Sequence, residues 1–171
     1  MKTPYRAKSE DWRREPELQI IRDTREQHGF DFRSFAGVEV KDGTLISGDY
    51  SVKGLEHMVA VERKSLPDLV SCLGAERERF QRELLRAASM PCFCVVVEGA
   101  WSDLAEGRYR SKLTPASAVA SVWAFSSRLK IPFFFCGTRG LAEQTTEGIL
   151  RQWVRGECHK LKAVKAALKA V

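Results

Sequence analysis

Phe93-Cys94-Val95-Val96-Val97 is apolar at every position. A run this short with no polar side reads as a strand covered on both faces, which a sheet sandwiched between helices provides. The segments around it alternate accordingly. Leu18, Ile20 and Ile21 predict a strand that ends in Arg22-Asp23-Thr24-Arg25-Glu26. Val38 and Val40, then Leu45 and Ile46 across Lys41-Asp42-Gly43, predict a hairpin through an Asp-Gly turn. Further strands are expected to begin at Gly48-Asp49-Tyr50-Ser51-Val52 and to run from Met58 to Val61, before Glu62-Arg63-Lys64.

Leu66, Leu69, Leu73, Phe80 and Leu84 recur at helical spacing, with Gly74 dividing them into two helices. Thr114-Pro115 is a helix start, and Val119, Val122, Trp123 and Leu129 supply its buried stripe. Ile131 to Cys136 predicts a last strand. Two helices are expected after it, separated near Gly156, the second burying Leu161, Val164 and Leu168. The fold class is therefore α/β, a mixed central sheet flanked by helices. Residues 1–16 read as a flexible arm, 17–138 as the main domain, and 139–171 as basic helices packed on the same domain.

With 44% apolar and 29% charged residues, the 171-residue chain is globular rather than disordered. Its net charge is +6, and the segment from Arg151 to Val171 holds six basic residues against one acid. A basic end on a nearly neutral body points to a polyanionic partner or to a solvated terminal helix. The five cysteines are odd in number and scattered, and the three histidines are isolated, so no zinc pattern is present. Cys92 and Cys94 fall two apart in an apolar run and read as core. The first 14 residues carry no signal-peptide core, and no apolar stretch approaches the roughly 20 residues that span a bilayer. The expectation is a reduced, soluble, cytoplasmic protein with no membrane partner.

Carboxylates sit where a fold has little use for them. Asp23, Glu26, Asp49 and Glu62 all lie at ends of apolar strands, although acids are poor strand residues and costly to desolvate. Lys64 lies two residues after Glu62, on the same side of an extended chain. Asp49 and Glu62 are hard oxygen donors suited to Mg²⁺ or Mn²⁺, with positions left open for water and phosphate. Lys64 beside them can orient that water or stabilise charge developing on a phosphate. The competing reading is an exposed strand-end ion pair worth about 0–1 kcal/mol. A carboxylate-pair sugar hydrolase fits poorly, because that chemistry gives Lys64 no role.

Gly48-Asp49-Tyr50, a gap, then Glu62-Arg63-Lys64-Ser65-Leu66-Pro67-Asp68 resembles the GD…ERKxxxD signature of the XPF family of structure-selective endonucleases. Ile21-Arg22-Asp23-Thr24-Arg25-Glu26 is similar to that family's hydrophobic-D-x-R-E strand, and Asp68-Leu69-Val70-Ser71 with Arg79-Phe80 to the helix after its ERK. The resemblance covers residues 20 to 86. It implies a restriction-endonuclease-like fold of the PD-(D/E)XK superfamily, and a metal-dependent endonuclease acting on branched or flapped DNA. It makes Asp49 and Glu62 the metal ligands, with the Arg63 carbonyl as a third and Asp23 close by. Glu26, Arg25 and Arg63 would shape the site and meet phosphates.

Asp68 has two readings, a group supporting the site or an acid favoured by the helix amino terminus. Arg79, the loop residues Arg108, Arg110 and Lys112, and the basic terminal helix are candidate DNA contacts, with solvated surface as the alternative for the loop and the helix. Trp101 and Trp123 are expected to pack rather than to stack on bases. The family also implies a homodimer through the helix from Thr114 and those after Gly140. Only 35 residues follow Cys136, too few for the tandem helix-hairpin-helix module that relatives use for structure selectivity. This short form resembles the stand-alone members of bacteria and their phages. A catalytically silent DNA-binding or scaffolding member is the alternative, against which the presence of Asp23, Asp49, Glu62 and Lys64 weighs.

Overall fold

The computed structural model describes residues 18–169, so the arm expected over 1–16 lies outside the described residues. The apolar run forms the middle of strand β5 (Cys92–Glu98), and Phe93 to Val97 are all buried. With β1 (Leu18–Asp23), β2 (Val38–Gly43), β3 (Tyr50–Val52), β4 (Val59–Ser65) and β6 (Phe133–Phe135) it makes one sheet of order β2-β1-β3-β4-β5-β6. β4, β5 and β6 run parallel, β3 is antiparallel to both β1 and β4, and β2 is parallel to β1. The expected mixed sheet is what forms.

Helices α1 (Leu66–Leu73), α2 (Arg77–Ala87), α3 (Trp101–Ala105) and α4 (Pro115–Leu129) cover one face. Leu69, Leu73, Phe80, Leu84, Val122 and Phe125 pack there over Ala60, Phe93, Val95 and Val97. Helix α5 (Arg139–Lys169) covers the other face, where Ala142 and Leu150 meet Tyr50, Val59, Val61, Cys94 and Val96. Phe30 and Phe32 from the β1–β2 connection complete that layer, with Phe30 stacked on Tyr50 at 5.1 Å between centroids. Each such buried side chain contributes about 1.5–3 kcal/mol, against the entropy of ordering it.

Local signals explain the helix limits. Ser65 caps α1 by accepting from the Asp68 amide, Pro67 occupies its first turn, and Gly74 ends it as expected. Thr114 caps α4 in the same way, and Lys130 ends it in the left-handed region at φ +56°.

Four expectations are corrected. No hairpin forms at Asp42-Gly43: β2 continues through Gly43 beside β1, and Gly43 lacks the positive φ that a two-residue turn demands. β4 does not stop at Val61 but carries Glu62, Arg63 and Lys64 as far as Ser65, because pairing with β5 persists to Glu98. Of the stripe expected on α4, Val122 is buried and Val119 and Leu129 pack partly buried beside Ala118, Ser121 and Phe125, but Trp123 is 62% exposed. The two carboxy-terminal helices are a single helix, α5, since Gly156 lies in solvent with nothing pressing on it to bend the helix. Leu161, Val164 and Leu168 are exposed rather than buried. Trp101 and Trp123 do pack, with centroids 6.3 Å apart. Among the described residues no helix is long and apolar enough to cross a membrane.

Candidate active site

The site begins at a main-chain crossing. Gly48 stands at φ +82°, and a Cβ there would lie 2.9 Å from Cβ of Ala60. Only glycine lets the chain pass this close to β4 before turning into Asp49. The Asp49 N–H donates to the Val61 carbonyl (2.9 Å) and its own carbonyl accepts from the Asp23 N–H (2.8 Å). Asp49 is thereby strung between β1 and β4. β3 pairs with β4 only at Ala60 and Val61, so the next residues of β4 have no strand beside them on that edge. Into that gap the Asp49 carboxylate accepts from the Arg63 N–H at 2.8 Å.

Strand alternation then sorts the side chains. Glu62 and Lys64 point to the α1–α2 layer and Arg63 to the α5 layer. Glu62 is 3% exposed and ion-paired with Lys64, whose ammonium also lies 5.8 Å from the centroid of the Phe80 ring. Burial raises the Glu62 carboxyl well above the ordinary range, the Asp49 charge raises it further, and Lys64 opposes both. Burial also raises Asp49, against Lys64 and the Arg63 amide. Lys64 is held protonated: burial opposes its charge, but Glu62 and Asp49 outweigh that.

Two desolvated carboxylates at one strand end are a poor arrangement for the protein alone and a good one for a divalent cation. Among the described residues no group of three or more His, Cys, Asp or Glu side chains is gathered at metal-binding spacing. Two carboxylates supplemented by a backbone carbonyl, water and phosphate suit Mg²⁺, which keeps much of its hydration. The donors present therefore fit the ion that the spacing suggested.

An open cleft of about 440 Å³ lies over this strand end, lined by Arg25, Asp49, Lys64, Asp68 and Arg79 among others. Asp68 accepts from the Ser65 hydroxyl at 2.6 Å, so it closes the cap of α1 while facing the cleft. Arg79 is exposed and pairs with Glu76 and, at 4.0 Å, with Glu83. Arg25 is exposed too, donating to Asp23 and to the Leu45 carbonyl.

Asp23 is buried and fully engaged. Its oxygens accept from the Arg25 amide and guanidinium and from the Leu45 amide. Burial would raise its pKa, but the Arg25 and Leu45 hydrogen bonds outweigh it and hold the carboxyl below its usual range. In this arrangement Asp23 braces the Asp49 crossing rather than facing the cleft. Glu26 accepts from the His28 amide at 2.7 Å and lies 3.5 Å from Arg63. Arg108, Arg110 and Lys112 lie outside this cleft, on the exposed α3–α4 loop, where Arg108 is taken up by Asp103 and Glu106.

Three charged residues escaped sequence reasoning. Glu83 on α2 adds negative charge felt by both Asp49 and Glu62, but it is hidden in a helix crowded with charges. Glu98 grips Arg63 and Arg139. It closes an apolar strand, the same signal that singled out Glu62, and could have been found by it.

The ERCC4 domain profile matches residues 21–153, most of the chain and all of this site. The chain belongs to the ERCC4-domain family. Among solved structures this ERCC4-domain chain is similar to XPF from Aeropyrum pernix, at 23% identity and a TM-score of 0.64 over 78% of this chain and 60% of that one. It is similar also to Aeropyrum pernix XPF in complex with DNA, at 22% identity and a TM-score of 0.64 over 81% of this chain and 66% of that one. At these identities the likeness is one of fold, and this ERCC4-domain chain spans less than two thirds of each. No curated protein matches it in sequence.

Proposed function

We propose that this chain is a DNA endonuclease that hydrolyses phosphodiesters with Mg²⁺ or Mn²⁺, at branched or flapped DNA. One observation carries the reading: Asp49, Glu62 and Lys64 converge at the end of β4, beside a cleft flanked by Arg25 and Arg79. Asp49 and Glu62 would hold the ion, with the Arg63 carbonyl as a third donor. When bound, such an ion lowers the pKa of coordinated water and neutralises phosphate charge. Lys64 stays protonated through neutral pH, so it donates to the attacking water or a phosphate oxygen and does not serve as the base. Arg79 sits in an exposed ion pair with Glu76 worth about 0–1 kcal/mol, which a DNA phosphate can displace, while the exposed Arg25 side chain would meet a phosphate without leaving buried Asp23. Asp23, Glu26 and Asp68 act by bracing this arrangement, and Arg108, Arg110 and Lys112 would meet DNA beyond the cleft.

Membership of the ERCC4-domain family and likeness to an XPF captured with DNA support a DNA substrate and a place in repair or recombination. Exposed Trp123 on α4, Phe134 on β6 and Leu141 on α5 support pairing with a second copy. Five free cysteines fit a reducing compartment inside the cell. The retained acids and lysine weigh against a silent scaffold.

Asp49→Asn and Glu62→Gln are expected to lower cleavage of a labelled fork or flap by at least about 10³-fold, the several kcal/mol a catalytic metal supplies. DNA affinity, measured by anisotropy, should be retained. Normal cutting by both variants would overturn the reading.

A further inference from the structure

We propose that Glu98 is a positioning residue for the candidate metal ligands, acting through Arg63. The kinetic part of this proposal rests on the nuclease reading above; the metal-binding part does not depend on turnover.

On the α5 side of the sheet, Arg63 Nε and Nη2 both donate to Glu98, each at 2.9 Å. Glu98 Oε1 accepts also from Arg139 Nη1 at 2.9 Å. Arg139, the first residue of α5, spends its other nitrogen on the carbonyls of His28 (2.7 Å) and Gly29 (2.8 Å). Its guanidinium lies 4.8 Å from the centroid of the Phe30 ring. One carboxylate thus ties the ends of β4 and β5 to the start of α5 and to the turn after β1. The Glu98 and Arg63 side chains are only 12% and 10% exposed, so the forked pair is largely withdrawn from water. Removing one member of such a pair leaves the other charge without its partner.

Arg63 sits between Glu62 and Lys64, and its own N–H holds Asp49. A strand residue anchored on one face fixes the direction of both neighbours on the other. Holding the Arg63 guanidinium therefore fixes the peptide that orders Asp49, Glu62 and Lys64. The Arg63 guanidinium, bonded to Glu98 and 3.5 Å from Glu26, thereby serves as a structural cation.

The test compares Glu98→Gln, which loses the charge, with Glu98→Asp, which keeps it. On the full chain without DNA, Mn²⁺ affinity is measured by titration with electron paramagnetic resonance, and solvent exchange of the Arg63 Nε proton by NMR. Because small misplacements of reacting groups cost up to about 10²-fold, Glu98→Gln should weaken Mn²⁺ binding about fivefold or more and lower kcat on a DNA fork about tenfold or more. Exchange of the Arg63 proton should quicken, KM should change less than about twofold, and Glu98→Asp should recover much of each loss. A folded Glu98→Gln protein with wild-type Mn²⁺ affinity overturns the proposal. If that variant does not fold, Arg139→Gln is put through the same Mn²⁺ titration: weakened binding supports the proposal and wild-type binding overturns it. A wild type that binds Mn²⁺ but cuts no DNA would sink the nuclease reading and leave Glu98 judged by affinity. A wild type that binds no Mn²⁺ would sink both.

Discussion

At the residue scale the costly feature is a pair of desolvated acids. Asp49 is pushed up to about 6 and Glu62 to about 8, chiefly by burial. Without metal, these two carboxyls therefore hold more protons in the folded protein than in the unfolded chain between about pH 4 and 8. Their contribution to stability falls as pH rises through that window, the reverse of a salt-bridged carboxylate such as Asp23. Thermal melts of metal-free protein are expected to show a lower midpoint at pH 8 than at pH 5.5. Glu62→Gln should flatten that slope, with the relief of a buried carboxylate set against the loss of the partner of Lys64. Added Mn²⁺ should raise the wild-type midpoint at pH 8 by binding the folded state. An unchanged slope in Glu62→Gln would show that Glu62 is not the group responsible.

At the scale of elements, the Gly48 crossing links β1 and β4. A side chain there meets both an unfavourable φ and the Ala60 Cβ at 2.9 Å. Gly48→Ala is expected to destabilise by about 1–3 kcal/mol, measured by urea unfolding, and to disturb Asp49 before anything else. Much at this scale was legible in advance. The apolar run of β5, the helical spacing from Leu66, the break at Gly74 and the start of α4 at Thr114 each carry a local signal strong enough to survive folding. The β1–β2 pairing was not legible, because Asp42-Gly43 has turn chemistry and only the tertiary path of Phe30 and Phe32 makes the connection parallel. The gathering of Asp49, Glu62 and Lys64 was suggested by strand ends and spacing. Glu98 carried the same strand-end signal, but Arg139 and Glu83 carried none, since their roles depend on which helix start or helix face lies opposite.

At the scale of the whole molecule, α5 outruns the body it covers. Its first half buries Ala142 and Leu150 against the sheet, whereas Leu161, Val164 and Leu168 are exposed among the described residues. Helical periodicity alone could not tell these apart, because a stripe of apolar residues says that a face exists and not what covers it. Leu161→Ala and Val164→Ala should each shift chemical-denaturation stability of the isolated chain by less than about 0.5 kcal/mol, the range of surface substitutions. A loss of about 2 kcal/mol or more, of the kind a buried leucine gives, would mean that something covers this stripe in solution.

β4 has a last consequence. At its end the protein is a partition one peptide thick, with Glu62 and Lys64 on one side and Arg63 on the other. Anything that pulls on Arg139 from the α5 side, whether a neighbouring molecule or an engineered change, tugs the same wall that the acids hang from. If Glu98 positions the acids as proposed, the proposed chemistry would be open to tuning from behind, with no atom of the regulator entering the cleft.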